Sequence, residues 1–250
     1  MKKLFIIYAA LLMVSVGCQK NEVTTPQTYK GVEQTLGNGK AYSWVTFSES
    51  NLPSSIGMTF TKEAFDNLSH TALTALVLPL PTEAVGKTIF DHVFLTFSHA
   101  GHEPAGVYDV PHFDIHFYIQ PLAAREAIPP YMPATAAKFD NLPPDGYMPK
   151  PYIRLPEGVP TMGTHWANPT STELNGGKFT ETFIMGSYDG KVTFYEPMIT
   201  LAFLQNAPNV TKSAPIPTKF AKSGYYPMKY SIKQDGSNVV VSLDEMMMMQ

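Results

Sequence analysis

The histidines of this chain are concentrated in one short stretch. Five of the seven histidines lie between residues 92 and 116, where His112 and His116 flank Asp114. Imidazole and carboxylate groups bind transition metals, and imidazole also transfers protons near neutral pH. This stretch therefore predicts where the chemistry of the protein takes place.

Residues 108–120 alternate in the way of a β-strand. One face of this strand carries Phe113, Ile115 and Phe117, which predicts a core face. The other face carries His112, Asp114, His116 and Tyr118. A solvent-exposed face would carry Lys, Glu and Thr, so the polar row indicates the wall of a pocket. The Val110-Pro111 pair before the row and the aromatic residues within it argue against a helix.

Strand geometry limits which of these side chains share one ion. At about 3.3 Å per residue, His112 and His116 are roughly 13 Å apart at Cα, the outer limit for two imidazoles on one metal. Asp114 is about half that distance from either histidine. Either the strand bends after Pro111, or Asp114 and one histidine form the central pair.

His165 and Glu196 are candidates from outside this stretch. His165 stands beside Trp166, where the chain returns from a proline-rich segment, and it either joins the same pocket or packs in a loop by hydrogen bonding to backbone. Glu196 is an acid in an otherwise apolar strand, and a buried carboxylate needs a partner. That partner is either a metal or a local donor near Pro197.

These residues make up the predicted site. We predict a divalent transition metal, with zinc as first choice and copper, manganese or iron as alternatives. The predicted ligands are His112, Asp114, His116 and His165. The candidates for an additional ligand or a base are His102, Glu103 and Glu196.

The distribution of turn residues predicts an all-β fold. The 22 prolines and 17 glycines are widely spread, and 44% hydrophobic residues among 250 suffice for a core. We expect one domain over residues 31–243, an antiparallel β-sandwich or jelly-roll-like barrel with short helices and a long proline-rich loop. Strands are predicted at 41–47, 72–80, 88–97, 178–185, 191–204, 226–232 and 239–243, and short helices at 61–68 and 134–139.

Two segments between these strands have particular signatures. Residues 121–160 contain ten prolines, which indicates a lid or a peripheral extension. Asp189-Gly190 between alternating apolar residues predicts a two-residue hairpin turn, which would place Glu196 opposite Phe183.

The amino terminus predicts export. Residues 1–17 have a positive start and an apolar run that ends before Cys18, the only cysteine. We predict a lipoprotein signal peptide, lipidation of Cys18, a tether over 18–30 and a tail over 244–250. Ser15 stands where such signals usually carry Leu, which leaves a plain secretory signal or an anchor helix as alternatives. A single cysteine excludes an intramolecular disulfide.

The charge pattern narrows the partners. The net charge is −3, and no basic stripe with aromatic residues is present, which argues against nucleic-acid binding. The predicted partner is the membrane, reached through the lipid anchor at the bacterial cell envelope. The sequence leaves open whether the protein forms a homo-oligomer.

Several motifs together resemble a known family. They are Gly101-His102-Glu103-Pro104, Tyr108, Pro111 to Tyr118, Met162-Gly163-x-His165-Trp166, Gly186 to Gly190, and Phe194-x-Glu196-Pro197-Met198. They resemble an uncharacterised family of exported bacterial proteins, often lipoproteins, with a domain of unknown function and a link to extracytoplasmic sigma-factor control. The resemblance covers roughly residues 31–243. It implies a cellular location but no reaction. Ser98-His99-Ala100 departs from the Asn-Pro usual there, so His99 is expected to be peripheral.

Three functions fit these observations. The first is an envelope protein that binds a metal. The second is a metal-dependent enzyme with one coordination position open for water and Glu103 or Glu196 as base. The third is a metal-free binding or stress-response scaffold, in which the histidines hydrogen-bond to one another and to tyrosines.

Overall fold

The chain folds into antiparallel β-sheets with a few short helices, which confirms the predicted all-β class. The computed structural model describes residues 25–250. The predicted signal peptide, Cys18 and the first part of the predicted tether lie outside these residues. Among the described residues, none of the helices is both long enough and apolar enough to cross a membrane.

The described strands and helices follow one another in this order. The strands are β1 (Gln27–Lys30), β2 (Gln34–Leu36), β3 (Gly39–Phe47), β4 (Pro53–Phe60), β5 (Thr74–Pro79), β6 (His92–Ser98), β7 (His112–Tyr118), β8 (Ile153–Arg154), β9 (Thr164–Ala167), β10 (Glu181–Tyr188), β11 (Lys191–Thr200), β12 (Asn209–Ser213), β13 (Gly224–Tyr226), β14 (Lys229–Asp235), β15 (Asn238–Asp244) and β16 (Met247–Met249). The helices are α1 (Leu122–Glu126), α2 (Ala136–Asp140) and α3 (Leu201–Gln205). Short 3-10 turns span Lys62–Phe65, Thr82–Ala84 and Glu173–Asn175.

Two seven-stranded sheets form the sandwich. The site sheet has the order β5-β6-β7-β11-β10-β9-β8. The opposing sheet has the order β1-β3-β4-β15-β14-β12, with β2 paired to β3, and β13 and β16 form a separate pair. Strand β7 lies third in the site sheet, with neighbours on both sides, so its side chains sit well inside the sheet.

The predicted core face of β7 packs against the opposing sheet. Phe113, Ile115 and Phe117 are fully buried. The ring of Phe113 lies 5.0 Å from that of Phe60 on β4, between ring centroids. Each such side chain stabilises the fold by about 1.5–3 kcal/mol through its burial. The polar row of β7 therefore points away from this core.

The proline-rich segment 121–160 and its return cover the polar face of the site sheet. The Tyr118 hydroxyl donates to the Thr161 carbonyl at 3.3 Å. The Arg125 guanidinium lies 4.0 Å from the centre of the Phe94 ring and is buried. The polar row is therefore enclosed between the sheet and this cover.

The β10–β11 hairpin has the predicted turn but a different register. Asp189-Gly190 joins the two strands as predicted. A bulge follows, in which Thr193 is the extra residue, so the pairing shifts by one. Glu196 lies opposite Ile184, and the predicted pairing with Phe183 is wrong. Counting from the turn fails here because a bulge places two residues opposite one.

Three other predicted elements are shorter or differ in burial. The predicted helix at 61–68 is only the 3-10 turn Lys62–Phe65, because Thr61 uses its hydroxyl to accept from the Lys40 amide and does not cap a helix. The predicted strand 191–204 ends at Thr200, whose side chain caps α3. The predicted buried strand 72–80 is the edge strand β5, which is partly exposed.

Paired strands extend beyond both predicted domain limits. Strand β1 lies within the predicted tether and pairs with β3. Strand β16 lies within the predicted tail and pairs with β13. These pairings tie residues 27–30 and 247–249 to the rest of the fold.

Candidate metal centre

The polar face of β7 is almost completely buried. His112 is 0% exposed, Asp114 6% and His116 1%. A row of ionisable groups at this depth is unusual, because burying a charge without a partner is costly. Each group therefore needs an identified partner.

The first group, which we call the loop triad, consists of His102, His112 and Asp114. His102 comes from residues 99–111, the loop between β6 and β7, and the other two lie on β7. Asp114 Oδ1 lies 3.1 Å from His112 Nε2 and 3.7 Å from His102 Nε2. The three ligand atoms lie within 4.8 Å of one another.

The second group, the sheet triad, consists of His116, His165 and Glu196, which lie on β7, β9 and β11. Glu196 Oε1 lies 3.3 Å from His116 Nε2, and Glu196 Oε2 lies 3.9 Å from His165 Nε2. His165 pairs across the sheet with Gly186, where a Cβ atom would lie 2.0 Å from the Phe194 ring. The missing side chain lets this ring lie beside His165, with 5.2 Å between ring centroids.

Both triads have the spacing of a coordination shell. Ligands about 2.1 Å from a tetrahedral zinc ion are separated from one another by about 3.4 Å. The measured separations of 3.1 to 3.9 Å bracket that value. Two imidazoles and one carboxylate in each triad suit a divalent transition metal.

Backbone carbonyls orient three of the four triad histidines. In each case Nδ1 donates to a carbonyl, which leaves the lone pair on Nε2 facing the triad. The pairs are His102 with Glu103 at 2.7 Å, His112 with Val110 at 2.7 Å and His116 with Phe94 at 3.1 Å. Metal-binding histidines are held in the same way.

Four of the buried ligand atoms have no hydrogen-bond partner. They are His112 Nε2, Asp114 Oδ1, His116 Nε2 and Glu196 Oε2. His112 Nε2 lies 3.1 Å from Asp114 Oδ1, yet neither atom has a hydrogen-bond partner. Leaving one such group unsatisfied costs about 1–3 kcal/mol. A cation at each triad would satisfy all four.

Burial keeps the histidines of the sheet triad neutral. It lowers the pKa of His116 to about 4, against the opposing effect of the Asp114 charge. It also lowers the pKa of His165 to about 3, with a further contribution from His116. Neutral imidazole is the form that coordinates a metal.

The two carboxylates are in opposite electrostatic situations. Burial raises the pKa of Glu196 well above its ordinary value, and the charge of Asp114 adds to this. Burial also acts to raise the pKa of Asp114, but contacts with His102 and His112 outweigh it and lower that pKa. Burial acts to lower the pKa of His102, but the contact with Asp114 outweighs it and raises that pKa.

Aromatic rings surround His116. The centroid of its ring lies 4.8 Å from that of Phe194, 5.7 Å from that of Phe94 and 5.8 Å from that of Tyr118. These rings exclude water, which strengthens any interaction between the triad and a cation.

The structure divides the predicted ligands between two groups. His112 and Asp114 are in the loop triad, whereas His116 and His165 are in the sheet triad. Of the additional candidates, His102 and Glu196 complete the triads. Glu103 belongs to neither, since its Oε2 accepts from the Ala105 amide at 2.7 Å.

One residue that supports a ligand is absent from the predicted site. Thr96 on β6 donates to Asp114 Oδ2 at 2.8 Å. The alternation of His92, Phe94, Thr96 and Ser98 was the available signal, because it places Thr96 on the polar face of the site sheet. The exposed His99 contacts His70 at 3.3 Å and lies in neither triad.

The comparisons do not identify a relative. The sequence matches no protein-family model and no curated protein, and the structure matches no solved structure.

Proposed function

We propose that the protein is an exported, lipid-anchored protein of the bacterial cell envelope that binds a divalent transition metal on the polar face of β7. The ligands are His102, His112, Asp114, His116, His165 and Glu196. The cellular location is inferred from the sequence, and the metal binding is inferred from the geometry of the site.

The unsatisfied ligand atoms carry the binding proposal. Native proteins leave few buried polar atoms without a partner. Here four of them, on His112, Asp114, His116 and Glu196, fall into two groups whose ligand atoms lie within 4.8 Å of one another. A metal-free scaffold would leave them unpaired, whereas a cation would satisfy them together.

Zinc is the first choice of ion. It takes imidazole and carboxylate ligands in tetrahedral geometry, at the spacing found in both triads. Copper, manganese and iron are the alternatives, and two histidines with one carboxylate also suit ferrous iron.

The amino-terminal sequence supports the proposed location at the cell envelope. Residues 1–17 have the pattern of a signal peptide, and Cys18 stands at the position that lipidation requires. The resemblance of the central motifs to exported lipoproteins supports the same address.

A metal-dependent enzyme is the second candidate. Three protein ligands in each triad leave a fourth position for water, as at catalytic zinc sites. Neither predicted base is available, however, because Glu103 binds the Ala105 amide and Glu196 belongs to the sheet triad. Cavities of about 410 and 330 Å³ are lined by other residues. Binding is therefore better supported than catalysis.

Elemental analysis and thermal melts test the binding proposal. Purified protein should contain stoichiometric metal, and EDTA should lower its melting temperature. With free metal at a hundredfold over Kd, binding stabilises by about 2.7 kcal/mol, or about 5 to 10 °C for a domain of this size. His116→Ala should lower the metal content and reduce the effect of EDTA.

His92→Ala is the matched control. His92 is a buried histidine outside both triads, and its Nδ1 lies 2.8 Å from Asp91 Oδ1. This variant removes the same volume but should keep its metal. Substoichiometric metal under every loading condition, with a melt that does not respond to EDTA, would favour the metal-free scaffold.

A further inference from the structure

We infer that the polar face of β7 holds two metal ions, and that the ion in the loop triad exchanges with solvent while the ion in the sheet triad is enclosed. This inference rests on the proposed metal binding and adds the number of ions and the difference between their sites.

The ligands divide into two sets with no shared member. Each set contains two histidines and one carboxylate, and its ligand atoms lie within 4.8 Å of one another. His112 and His116 are four residues apart on one strand, or about 13 Å at Cα, the outer limit for two imidazoles on one ion. Their Nε2 atoms also face different carboxylates, Asp114 for His112 and Glu196 for His116. Two sets at this separation need two ions.

The carboxylates use their oxygens within their own triads. One oxygen of Asp114 faces the histidines of the loop triad, and the other accepts from Thr96. In the sheet triad, Glu196 faces His116 with one oxygen and His165 with the other. Neither carboxylate therefore has an oxygen left to complete the other shell.

The two triads differ in their access to solvent. The side chain of His102 is 45% exposed, whereas those of His116, His165 and Glu196 are 1%, 17% and 2% exposed. His102 is also the only triad ligand that is carried by a loop. One side-chain movement therefore opens the loop triad.

Opening the sheet triad requires larger movements. Its three ligands lie on three strands of one sheet, β7, β9 and β11. Phe194 and Tyr118 pack around His116. Met162 from the cover packs against the cluster that these two rings form with Phe94. An ion in this triad leaves only when the cover is displaced or the strands separate.

Zinc release tests this inference. Protein loaded with Zn²⁺ should contain two ions per chain and release them to a chromogenic chelator in two phases of equal amplitude. The faster phase should be at least tenfold faster than the slower one. His102→Ala should remove the fast phase and leave one slowly released ion.

Variants of the sheet triad should have the opposite effect. His165→Ala should remove the slow phase, and Glu196→Gln should do the same if the alanine variant does not fold by circular dichroism. His99→Ala is the control for a nearby exposed histidine and should keep both phases.

The outcomes separate this inference from the proposed function. One ion per chain that is lost in both His102→Ala and Glu196→Gln would mean a single shared site, which overturns the inference but keeps metal binding. Two ions released at one rate would overturn the difference in access. No bound zinc in any variant would overturn the proposed function itself.

Discussion

Thr96 and Asp114 lie directly opposite each other on β6 and β7, and the Thr96 hydroxyl donates to Asp114 Oδ2 at 2.8 Å. Both residues are buried. This hydrogen bond occupies one oxygen of the carboxylate and fixes its plane, so Oδ1 points at the histidines of the loop triad. A residue of this kind orients a metal ligand without touching the metal.

Thr96→Val should weaken metal binding at the loop triad. The substitution keeps the shape of the side chain but removes the donor, so the carboxylate is free to turn. Removing such a supporting hydrogen bond typically lowers the metal affinity by about 10- to 100-fold. Calorimetric titration of metal-stripped protein with Zn²⁺ measures the change.

Thr193→Val is the matched control for this substitution. Thr193 is also buried, but its hydroxyl has no hydrogen-bond partner. Its replacement should leave the affinity unchanged. An equal loss of affinity in both variants would show that the effect is a general one on the fold.

Glu196→Gln should separate metal binding from stability. The pKa of Glu196 is raised, chiefly by burial, so above the unfolded pKa the carboxylate costs stability in the absence of a metal. The metal-free variant should therefore melt at the same temperature as the wild type or higher. With Zn²⁺ it should gain less stability than the wild type.

Glu173→Gln controls for the loss of a buried carboxylate. Glu173 is buried, accepts from the Tyr108 hydroxyl at 3.3 Å and belongs to neither triad. This variant should keep the full metal-induced stabilisation. If Glu196→Gln instead melts well below the wild type without metal, Glu196 serves as a structural partner of His116.

The fold and part of the site follow from local sequence patterns. The alternation in β7 identifies its core face and its polar face, because the two-residue period of a strand is a local property. His112, Asp114 and His116 were found in this way. Their division between two triads depends on residues from distant strands and on a loop, which alternation does not encode.

The strand pairing of Glu196 is also not determined by local sequence patterns alone. The turn at Asp189-Gly190 was predictable, but the bulge at Thr193 shifted the pairing by one residue. The position of His102 depends on residues 99–111, which close on themselves where the His102 amide donates to the Tyr108 carbonyl at 3.2 Å. Gly101 allows this closure, because its φ is +72° and a Cβ would lie 2.0 Å from that carbonyl oxygen.

Buried His116 should make the metal-free protein less stable as the pH falls. His116 has its pKa lowered to about 4 by burial, so the unfolded chain binds a proton before the folded one does. The free energy of unfolding that depends on neutral His116 is fully present above pH 6.5 and is lost as the pH falls from 6.5 toward 4. Between pH 7 and pH 5 this loss is about 2 kcal/mol.

Denaturant unfolding at pH 7 and pH 5 measures this contribution. The wild type should lose more stability than His116→Gln, which carries a neutral side chain at both pH values. Equal losses in the two proteins would show that His116 is not held neutral by burial.

Cys18→Ala should release the protein from the membrane. If Cys18 carries the lipid, the variant has no anchor and should appear in the soluble fraction without the mass of the lipid. Fractionation and mass spectrometry measure both properties. A variant that stays in the membrane fraction with the mass of the unmodified wild type would mean that the anchor is not a lipid on Cys18.

Anomalous X-ray diffraction from zinc-loaded crystals would locate the bound ions themselves. One anomalous peak should lie about 2.0–2.2 Å from His116 Nε2, His165 Nε2 and an oxygen of Glu196. A second peak should lie at the same distances from the ligand atoms of His102, His112 and Asp114. Zinc-loaded crystals with peaks only at surface sites such as the exposed His70–His99 pair would mean that neither triad binds zinc.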